Sequence, residues 1–245
     1  TSPNAVGITA TDCDGVTIQS ATNTIDLGDN AIIIENCDYN DVGSVLTGDS
    51  LSSTVGILAD DTNSDLTLNG TEVSGYATGV SKENGVLFMI GDAEIAGTDY
   101  GVYAEDTYVY ALVAHVDGGA TGTGLHVVDS PDAWVYPMDA SGAIGMYVEN
   151  TPFRWDGGVS DATTALSVVD ATGTVENLTW SDSTTQMNAG NNAHITSIGN
   201  TLDASKLVVA SSAVIDEANL MSIDSTHLGA APSNEVALLL TSTDD

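Results

Sequence analysis

The stretches GVYAEDTYVYAL (residues 101–112) and GLHVVDSPDAWVY (residues 124–136) follow the same order of residue types. Each begins with glycine, alternates apolar and polar residues, reaches an aspartate at its sixth position and returns to apolar or aromatic residues. Blocks of this kind, spaced 20 to 25 residues apart, begin at Gly7, Ala31, Gly56, Gly79, Gly101, Gly124, Gly145, Ala165, Gln186 and Lys206. They predict a repeat protein in which each block opens one coil, and we number the coils 1 to 10 accordingly.

The positions within a block indicate a strand followed by a turn. The second position is always aliphatic or Met, the fourth is nearly always small or apolar, and the third is mixed, as in a strand with one buried face. The sixth position is Asp or Asn in nine of the ten blocks, and such residues favour tight turns. This predicts an Asx ladder along one corner, made of Asp12, Asn36, Asp61, Asn84, Asp106, Asp129, Asn150, Asp170 and Asn191.

Two more short strands are predicted after most turns, and no block has a long helical stripe. Members of the second strand include Phe88 with Ile90 and Trp134 with Tyr136. The pattern resembles the right-handed, single-stranded parallel β-helix of the pectate-lyase-like superfamily. The resemblance implies an all-β solenoid of about ten coils and about 22 residues per coil, forming a single domain over residues 1–245. Regular coils are expected over about residues 5–225, and a strand or end cap over 226–245.

The charge of the chain restricts its partners. Thirty-five Asp and Glu against three Lys and Arg give a formal net charge of −32, while 42% of the residues are hydrophobic. A basic patch for nucleic acid is therefore excluded, and no apolar run is long enough for a transmembrane helix. Such acidity is typical of a halophilic protein, in which salt screens the self-repulsion. The alternatives are a calcium-loaded extracellular protein and a soluble acidic protein without a special adaptation.

No catalytic set is recognised in the sequence. The resemblance to pectate lyases would require clustered basic residues, but Lys82, Arg154 and Lys206 occupy different positions of their coils. Of the motifs typical of related hydrolases, only the pair Asp60–Asp61 is present. Because coil lengths vary little, we expect no long loops and no cleft, and hence a protein that is not an enzyme and has no cofactor.

The fifth position of several coils carries a carboxylate that is predicted to point outward. Glu35, Asp60, Glu83 and Glu105 would stack about 4.8 Å apart, with a repulsion of about 0.9 kcal/mol per neighbouring pair in water before screening. This column is a candidate binding site for Ca²⁺ or another cation. The alternative is a solvated charged face.

The two cysteines occupy equivalent positions of adjacent coils. Cys13 and Cys37 both follow the Asx turn, so their Cα atoms are expected about 4.8 Å apart, within the range of a disulfide. The predicted disulfide indicates an oxidising compartment. Asn69 and Asn177 lie in the glycosylation sequences Asn-Gly-Thr and Asn-Leu-Thr, which matter only in an exported protein.

These observations predict a non-enzymatic structural or interaction module of an exported surface or filament protein, located outside the cell or at its surface. Its expected partners are other copies of itself or flanking segments of a parent protein, contacted through the uncovered ends of the β-helix. Neither nucleic acid binding nor membrane insertion is expected. The alternative is a β-helix that binds or hydrolyses neutral glycans.

Overall fold

The chain forms a parallel β-solenoid of about nine turns, with 72% of its residues in strands and stacked coils about 22 residues apart. The structure is a computed structural model that describes residues 7–19, 24–27, 30–48, 54–60 and 64–218; the side chains of 24–27, 60 and 218 are not described. The predicted all-β fold is confirmed. The turn count falls slightly below the predicted ten because the tenth coil is described only in part, by Leu207–Val209 and Val214–Ala218.

Twenty strands are present in the described ranges, and several of them continue around a corner from one side of the coil to the next. They are β1 (Ile8–Gln19), β2 (Thr24–Leu27), β3 (Ile32–Val42), β4 (Val45–Gly48), β5 (Val55–Asp60), β6 (Asp65–Asn69), β7 (Glu72–Glu83), β8 (Val86–Glu105), β9 (Tyr108–Asp117), β10 (Thr123–Val128), β11 (Ala133–Val135), β12 (Met138–Glu149), β13 (Phe153–Asp156), β14 (Val159–Val169), β15 (Thr172–Glu176), β16 (Thr179–Trp180), β17 (Thr185–Ala189), β18 (His194–Ile198), β19 (Leu207–Val209) and β20 (Val214–Ala218). One 3₁₀ turn, Ala204–Lys206, precedes β19.

Every strand pair in the described ranges is parallel, and strand residues pair with residues one coil away, with local register shifts such as the one between Ile90 and Ala93. The coil has three sides, which we call sheets 1, 2 and 3 in chain order. In sheet 1, Val102 pairs with Leu125. In sheet 2, Leu87 pairs with Val109, and in sheet 3, Ile95 pairs with Val116. Two successive strands on the same side of the coil can be parallel only if the chain makes a full turn between them. Repeated parallel pairing of this kind therefore defines a solenoid.

The core runs through the centre of the solenoid as columns of inward side chains. Strand alternation sends every second residue inward, and the inward residues are aliphatic, Ala or Met, with Trp155, Tyr39 and Tyr76 as the largest. Under the Asx corner the inward column is polar: the backbone N–H of Thr107 donates to Ser130 Oγ, and that of Ser130 donates to Thr151 Oγ1, at 3.1 and 2.9 Å. This column satisfies backbone groups that the turn leaves unpaired.

Lys82 is fully buried at this polar column. Its ammonium donates to the carbonyl oxygen of Glu83 at 3.0 Å and to Ser64 Oγ at 3.4 Å. Gly85, with φ +69°, occupies the level between Ser64 and Thr107, and a Cβ there would lie 3.4 Å from Lys82 Nζ. The lysine side chain therefore fills the position at which the neighbouring coils carry a hydroxyl group.

Candidate interaction surface

The outer surface of sheet 2 in coils 4 to 6 carries large apolar side chains. Five members are between 37% and 49% exposed, namely Tyr108, Leu112, Val113, Trp134 and Tyr136, and the other members are half-buried. Of the eight Tyr, three Trp and two Phe of the chain, three Tyr, one Trp and one Phe belong to this surface. We call it the apolar face; it consists of Phe88, Ile90, Tyr108, Tyr110, Leu112, Val113, Trp134 and Tyr136.

The register of sheet 2 places these side chains in columns. Phe88 pairs with Tyr110, and Tyr110 with Trp134, while Ile90 pairs with Leu112. The Phe88 and Tyr110 rings stack, with centroids 5.2 Å apart and planes 16° apart, and the Trp134 indole stands edge-on to Tyr110 at 6.5 Å. The rings of this face are thus ordered by contacts with one another.

The corner after this face is strained at Val113. Its φ is +58°, a conformation that is costly for a β-branched residue, and its side chain is 42% exposed. The equivalent corner of other coils carries residues that tolerate this conformation: Gly43, Gly70, Gly91, Gly157, Asn177 and Gly199. Strained residues concentrate at functional sites, so the exposed valine supports a binding role for the face.

Arg154, the only arginine in the chain, borders the apolar face in coil 7. It pairs with Trp134 in the sheet register, and its guanidinium lies 3.1 Å from Asp156 and 3.2 Å from Glu176. Aromatic residues and arginine, with few carboxylates, are the composition that concentrates binding energy in protein interfaces.

The outer surface of sheet 3 differs, because it forms a shallow groove of 590 Å³ over coils 3 to 7. Its carboxylates are Glu72, Glu94, Asp117, Asp139 and Asp161. His115 Nδ1 lies 3.3 Å from Asp139 Oδ2, with both side chains nearly half exposed. The expectation that short coils leave no cleft is therefore wrong: the outward rows of neighbouring coils enclose a groove without any inserted loop.

Sheet 1 carries a third outward column, in which His126 is stacked between Tyr103 and Tyr147. The ring centroids lie 5.3 and 4.5 Å apart, and each tyrosine hydroxyl donates to a glutamate, Glu105 or Glu149, at 2.6 and 2.7 Å. Burial lowers the pKa of His126, although Glu149 and Glu105 oppose this shift. Burial and the hydrogen bond to Glu149 raise the pKa of Tyr147 to about 12.

The Asx ladder is present, with one change. Seven of the predicted residues have φ between 48° and 60°: Asp12, Asn36, Asn84, Asp106, Asp129, Asn150 and Asp170. Asn36 and Asn150 each donate to the aspartate one coil before, at 2.8 and 2.7 Å. Asp61 lies outside the described residues.

In coil 9 the ladder residue is Asn192, not Asn191. Asn192 has φ 46° and donates to Asp170 Oδ1 at 2.8 Å. The cause is an extra residue between β17 and the turn. The N–H of Asp170 donates to the carbonyl oxygen of Asn191, so Asn191 takes the role of the residue that precedes the turn in other coils.

The predicted cation column is in register for Asp60, Glu83 and Glu105, and Glu35 is an exposed residue within β3 of coil 2. The carboxylate of Glu105 accepts a hydrogen bond from Tyr103. Within the side chains that the structure describes, which exclude Asp60, no three His, Cys, Asp or Glu residues form a group that could hold a metal ion.

The predicted disulfide between Cys13 and Cys37 is present, with Cα atoms 4.9 Å apart. Of the glycosylation candidates, Asn177 occupies a corner, where its Nδ2 donates to Asp156 at 3.2 Å. Asn69 ends β6, and Thr71 of its acceptor sequence is fully buried, with Oγ1 donating to Asp41 Oδ1 at 2.8 Å. In the folded chain the hydroxyl group of the Asn69 acceptor sequence is therefore buried.

Comparisons with known proteins leave the fold as the only basis for classification. No family model, curated protein or solved structure matches the chain significantly. None of the helices in the described ranges is long and apolar enough to cross a membrane.

The sequence alone did not reveal the apolar face. The pattern predicts that Phe88, Ile90, Trp134 and Tyr136 belong to the second strand, but the inward residues of those strands are Leu87, Met89, Ala133 and Val135. The missing signal was the alignment of coil 4 with coil 3, in which Leu66 and Leu68 pair with Leu87 and Met89. That alignment would have placed the aromatic residues outside.

Proposed function

We propose that the chain is a non-catalytic structural and interaction module of an exported surface or filament protein, with the apolar face as its contact surface. The observation that carries the proposal is the concentration of exposed aromatic and aliphatic side chains on three adjacent coils. Large exposed apolar patches on otherwise polar proteins mark interaction sites. The strained Val113 and the neighbouring Arg154 support the same assignment.

The solenoid provides a stiff carrier for this surface. Each coil contacts only its neighbours, and the parallel ladder continues through the described coils without a large insertion. The Cys13–Cys37 disulfide supports export to an oxidising compartment, and the net charge of −32 supports a salt-rich environment. The resemblance to the pectate-lyase-like superfamily supports the architecture but not an activity, because that fold serves many functions.

Contact through the ends of the solenoid remains a prediction. The residues that would form those contacts, 1–6 and 219–245, lie outside the described residues, and they include the predicted cap at 226–245. The partners in this proposal are other copies of the chain or segments of a parent protein, and no cofactor is required.

A second candidate function is the binding or hydrolysis of a neutral glycan in the groove of sheet 3. The groove runs along the solenoid axis for about five coils, or about 20 Å, which is long enough for a short oligosaccharide. Its carboxylates can accept hydrogen bonds from sugar hydroxyl groups, and Asp139 with His115 would be the first pair to test for acid–base chemistry.

Two double variants separate these functions. Tyr110→Ser with Trp134→Ser alters the apolar face, and Asp117→Asn with Asp139→Asn alters the groove while keeping its shape. Wild type and both variants are assayed for binding to, and reducing-end release from, a panel of neutral polysaccharides, and for self-association by light scattering. We expect self-association that only the apolar-face variant loses. Glycan release or binding that only the groove variant loses would overturn the proposal in favour of the second function.

A further inference from the structure

We infer that Asn84 is a modification site, at which the side-chain amide is lost through a cyclic imide formed with the backbone nitrogen of Gly85. This site lies outside the apolar face, and its assignment goes beyond the proposed function. The chain contains two Asn-Gly sequences, Asn69–Gly70 and Asn84–Gly85. Glycine after asparagine favours ring closure, because the attacking nitrogen is not shielded by a side chain and the backbone rotates freely. The fold decides which of the two sequences can react.

The nitrogen of Gly85 is the nucleophile of this reaction. Asn84 and Gly85 form the corner between β7 and β8, with φ of +60° and +69°. Among the described residues, the N–H of Gly85 has no hydrogen-bond acceptor, whereas those of Thr107 and Ser130, at the same position of the next coils, donate to hydroxyl groups. The carbonyl oxygen of Asn84 accepts a long bond of 3.3 Å from the Thr107 hydroxyl, which also donates to Glu105 at 2.8 Å. Few interactions therefore oppose rotation of this peptide group towards the side chain.

The side chain of Asn84 also differs from the other asparagines of the ladder. Asn36, Asn150 and Asn192 each donate through Nδ2 to the aspartate one coil before. Each of those three is followed by a residue with a side chain, not by glycine. For Asn84 the preceding ladder residue, Asp61, lies outside the described residues, and no described residue forms a hydrogen bond with the Asn84 side chain. The ladder thus combines a reactive nitrogen and an unclamped amide at this position.

The second Asn-Gly sequence is held in place by its neighbours. The N–H of Gly70 donates to the carbonyl oxygen of Ile90 at 2.9 Å, and the carbonyl oxygen of Asn69 accepts from the N–H of Gly43 at 2.9 Å. The Asn69 side chain packs against the next coil so closely that a Cβ at Gly91 would collide with its Oδ1. Ring closure at Asn69 must break these contacts, so the same dipeptide serves as an internal control.

The reaction needs no reagent except water. The Gly85 nitrogen loses its proton and bonds to Cγ of Asn84, the Cγ–Nδ2 bond breaks, and the leaving NH2 group takes up a proton and departs as ammonia. Water then opens the ring. Cleavage of the new Cγ–N bond gives aspartate, and cleavage of the original backbone C–N bond gives isoaspartate. Isoaspartate adds a methylene group to the main chain between Glu83 and Val86, which both pair with the next coil, so we expect the product to loosen this corner.

The test compares both Asn-Gly sites in one sample of the wild-type protein. Folded protein and protein unfolded in urea are incubated side by side at neutral pH in water enriched in heavy oxygen. Peptide mapping by mass spectrometry then measures conversion at every asparagine, and enzymatic methylation detects isoaspartate. In the folded chain, Asn84 should convert about fivefold faster than Asn69, because the bond from the N–H of Gly70 must be broken first. In urea the two rates should be about equal, because the dipeptides are identical.

Asn84→Gln is the matched variant, because its longer side chain closes a ring more slowly. It should abolish the signal at position 84 and leave conversion at Asn69 unchanged. The inference is overturned if Asn69 converts as fast as Asn84 in the folded chain, or if Asn84 stays intact there while the unfolded chain converts. Aspartate without isoaspartate at position 84 would indicate direct hydrolysis of the amide and would overturn it as well.

Discussion

In coils 4 to 6, the inward side chains of sheets 2 and 3 are of the same kind, whereas their outward side chains differ in polarity. Inward, both present columns of small and aliphatic residues in parallel register, such as Leu87 with Val109 and Ile95 with Val116. Outward, sheet 2 presents rings and aliphatic chains, whereas sheet 3 presents carboxylates around a groove. The difference teaches that the stacking of coils constrains only the inward residues, so the outward columns are free to be shaped by binding.

The largest expected effect is the difference in stability loss between substituting an inward residue and an outward residue of sheet 2. Leu87→Ala removes a fully buried side chain and should lower the free energy of unfolding by about 2–5 kcal/mol. Phe88→Ala, one residue away on the outer surface, should lower it by less than about 1 kcal/mol while weakening self-association. Urea titrations of both variants at a concentration that keeps the chain monomeric provide the measurement. Equal losses would show that the described face is not an exterior surface.

Substitutions at the strained corner separate an effect on stability from an effect on binding. Val113→Asn relieves the left-handed valine and should raise the free energy of unfolding by about 1 kcal/mol, because Asn tolerates that conformation. Asn177→Val, at the equivalent corner of coil 8, is the matched control and should have the opposite effect. Thermal melts measure both. If Val113→Asn stabilises the monomer and also weakens self-association, the strain at Val113 serves binding; a destabilised Val113→Asn would contradict this account.

His126 on the outer surface of sheet 1 is expected to make the stability of the protein depend on pH. Because burial holds the pKa of His126 below its usual 6.5, the unfolded chain binds a proton at His126 before the folded chain does. Stability should therefore be complete above about pH 6.5 and fall as the pH drops below that value. The variant His126→Phe keeps the ring stack and should show a smaller loss between pH 7 and 5.5 in urea titrations. Identical pH profiles of the two proteins would exclude this role of His126.

The smallest effect concerns the carboxylates of sheet 3. Glu72 and Glu94 pair across adjacent coils, and Glu94→Gln removes one member of that repelling pair. We expect a gain of roughly a few tenths of a kcal/mol at low salt that disappears near 1 M NaCl. Thermal melts across a salt series measure it, with Thr174→Val on sheet 2 as an uncharged control. A gain that persists at high salt would point to packing instead of charge.

Features that recur at one position of successive coils could be predicted from the sequence, whereas features confined to a few coils could not. The ladder corner was predictable because coils 1, 2 and 4 to 9 each place an Asp or Asn in the left-handed conformation there, and the disulfide was predictable because Cys13 and Cys37 share one position in adjacent coils. The shift of the ladder position of coil 9 to Asn192 was not predictable, because a single extra residue hardly changes the pattern of residue types in the block. The apolar face was hidden because an aromatic residue in a short strand looks the same whether it points inward or outward.

The groove was also missed, for a physical reason. Clefts were expected only from inserted loops, yet the outward rows containing Glu94, His115 and Asp139 enclose a depression by their own side chains. Register across coils decides which outward residues become neighbours, and a sequence read block by block does not provide that register for the third strand.

The central claim is that contacts with partners occur on the apolar face and not in the groove. Sedimentation equilibrium in 1 M NaCl tests it on wild type, on Tyr110→Ser with Trp134→Ser, and on Asp117→Asn with Asp139→Asn. We predict that wild type and the groove variant shift from the 25.0 kDa monomer towards higher mass as concentration rises, while the apolar-face variant stays at 25.0 kDa. Monomeric behaviour of all three proteins, or loss of association in the groove variant alone, would contradict the account.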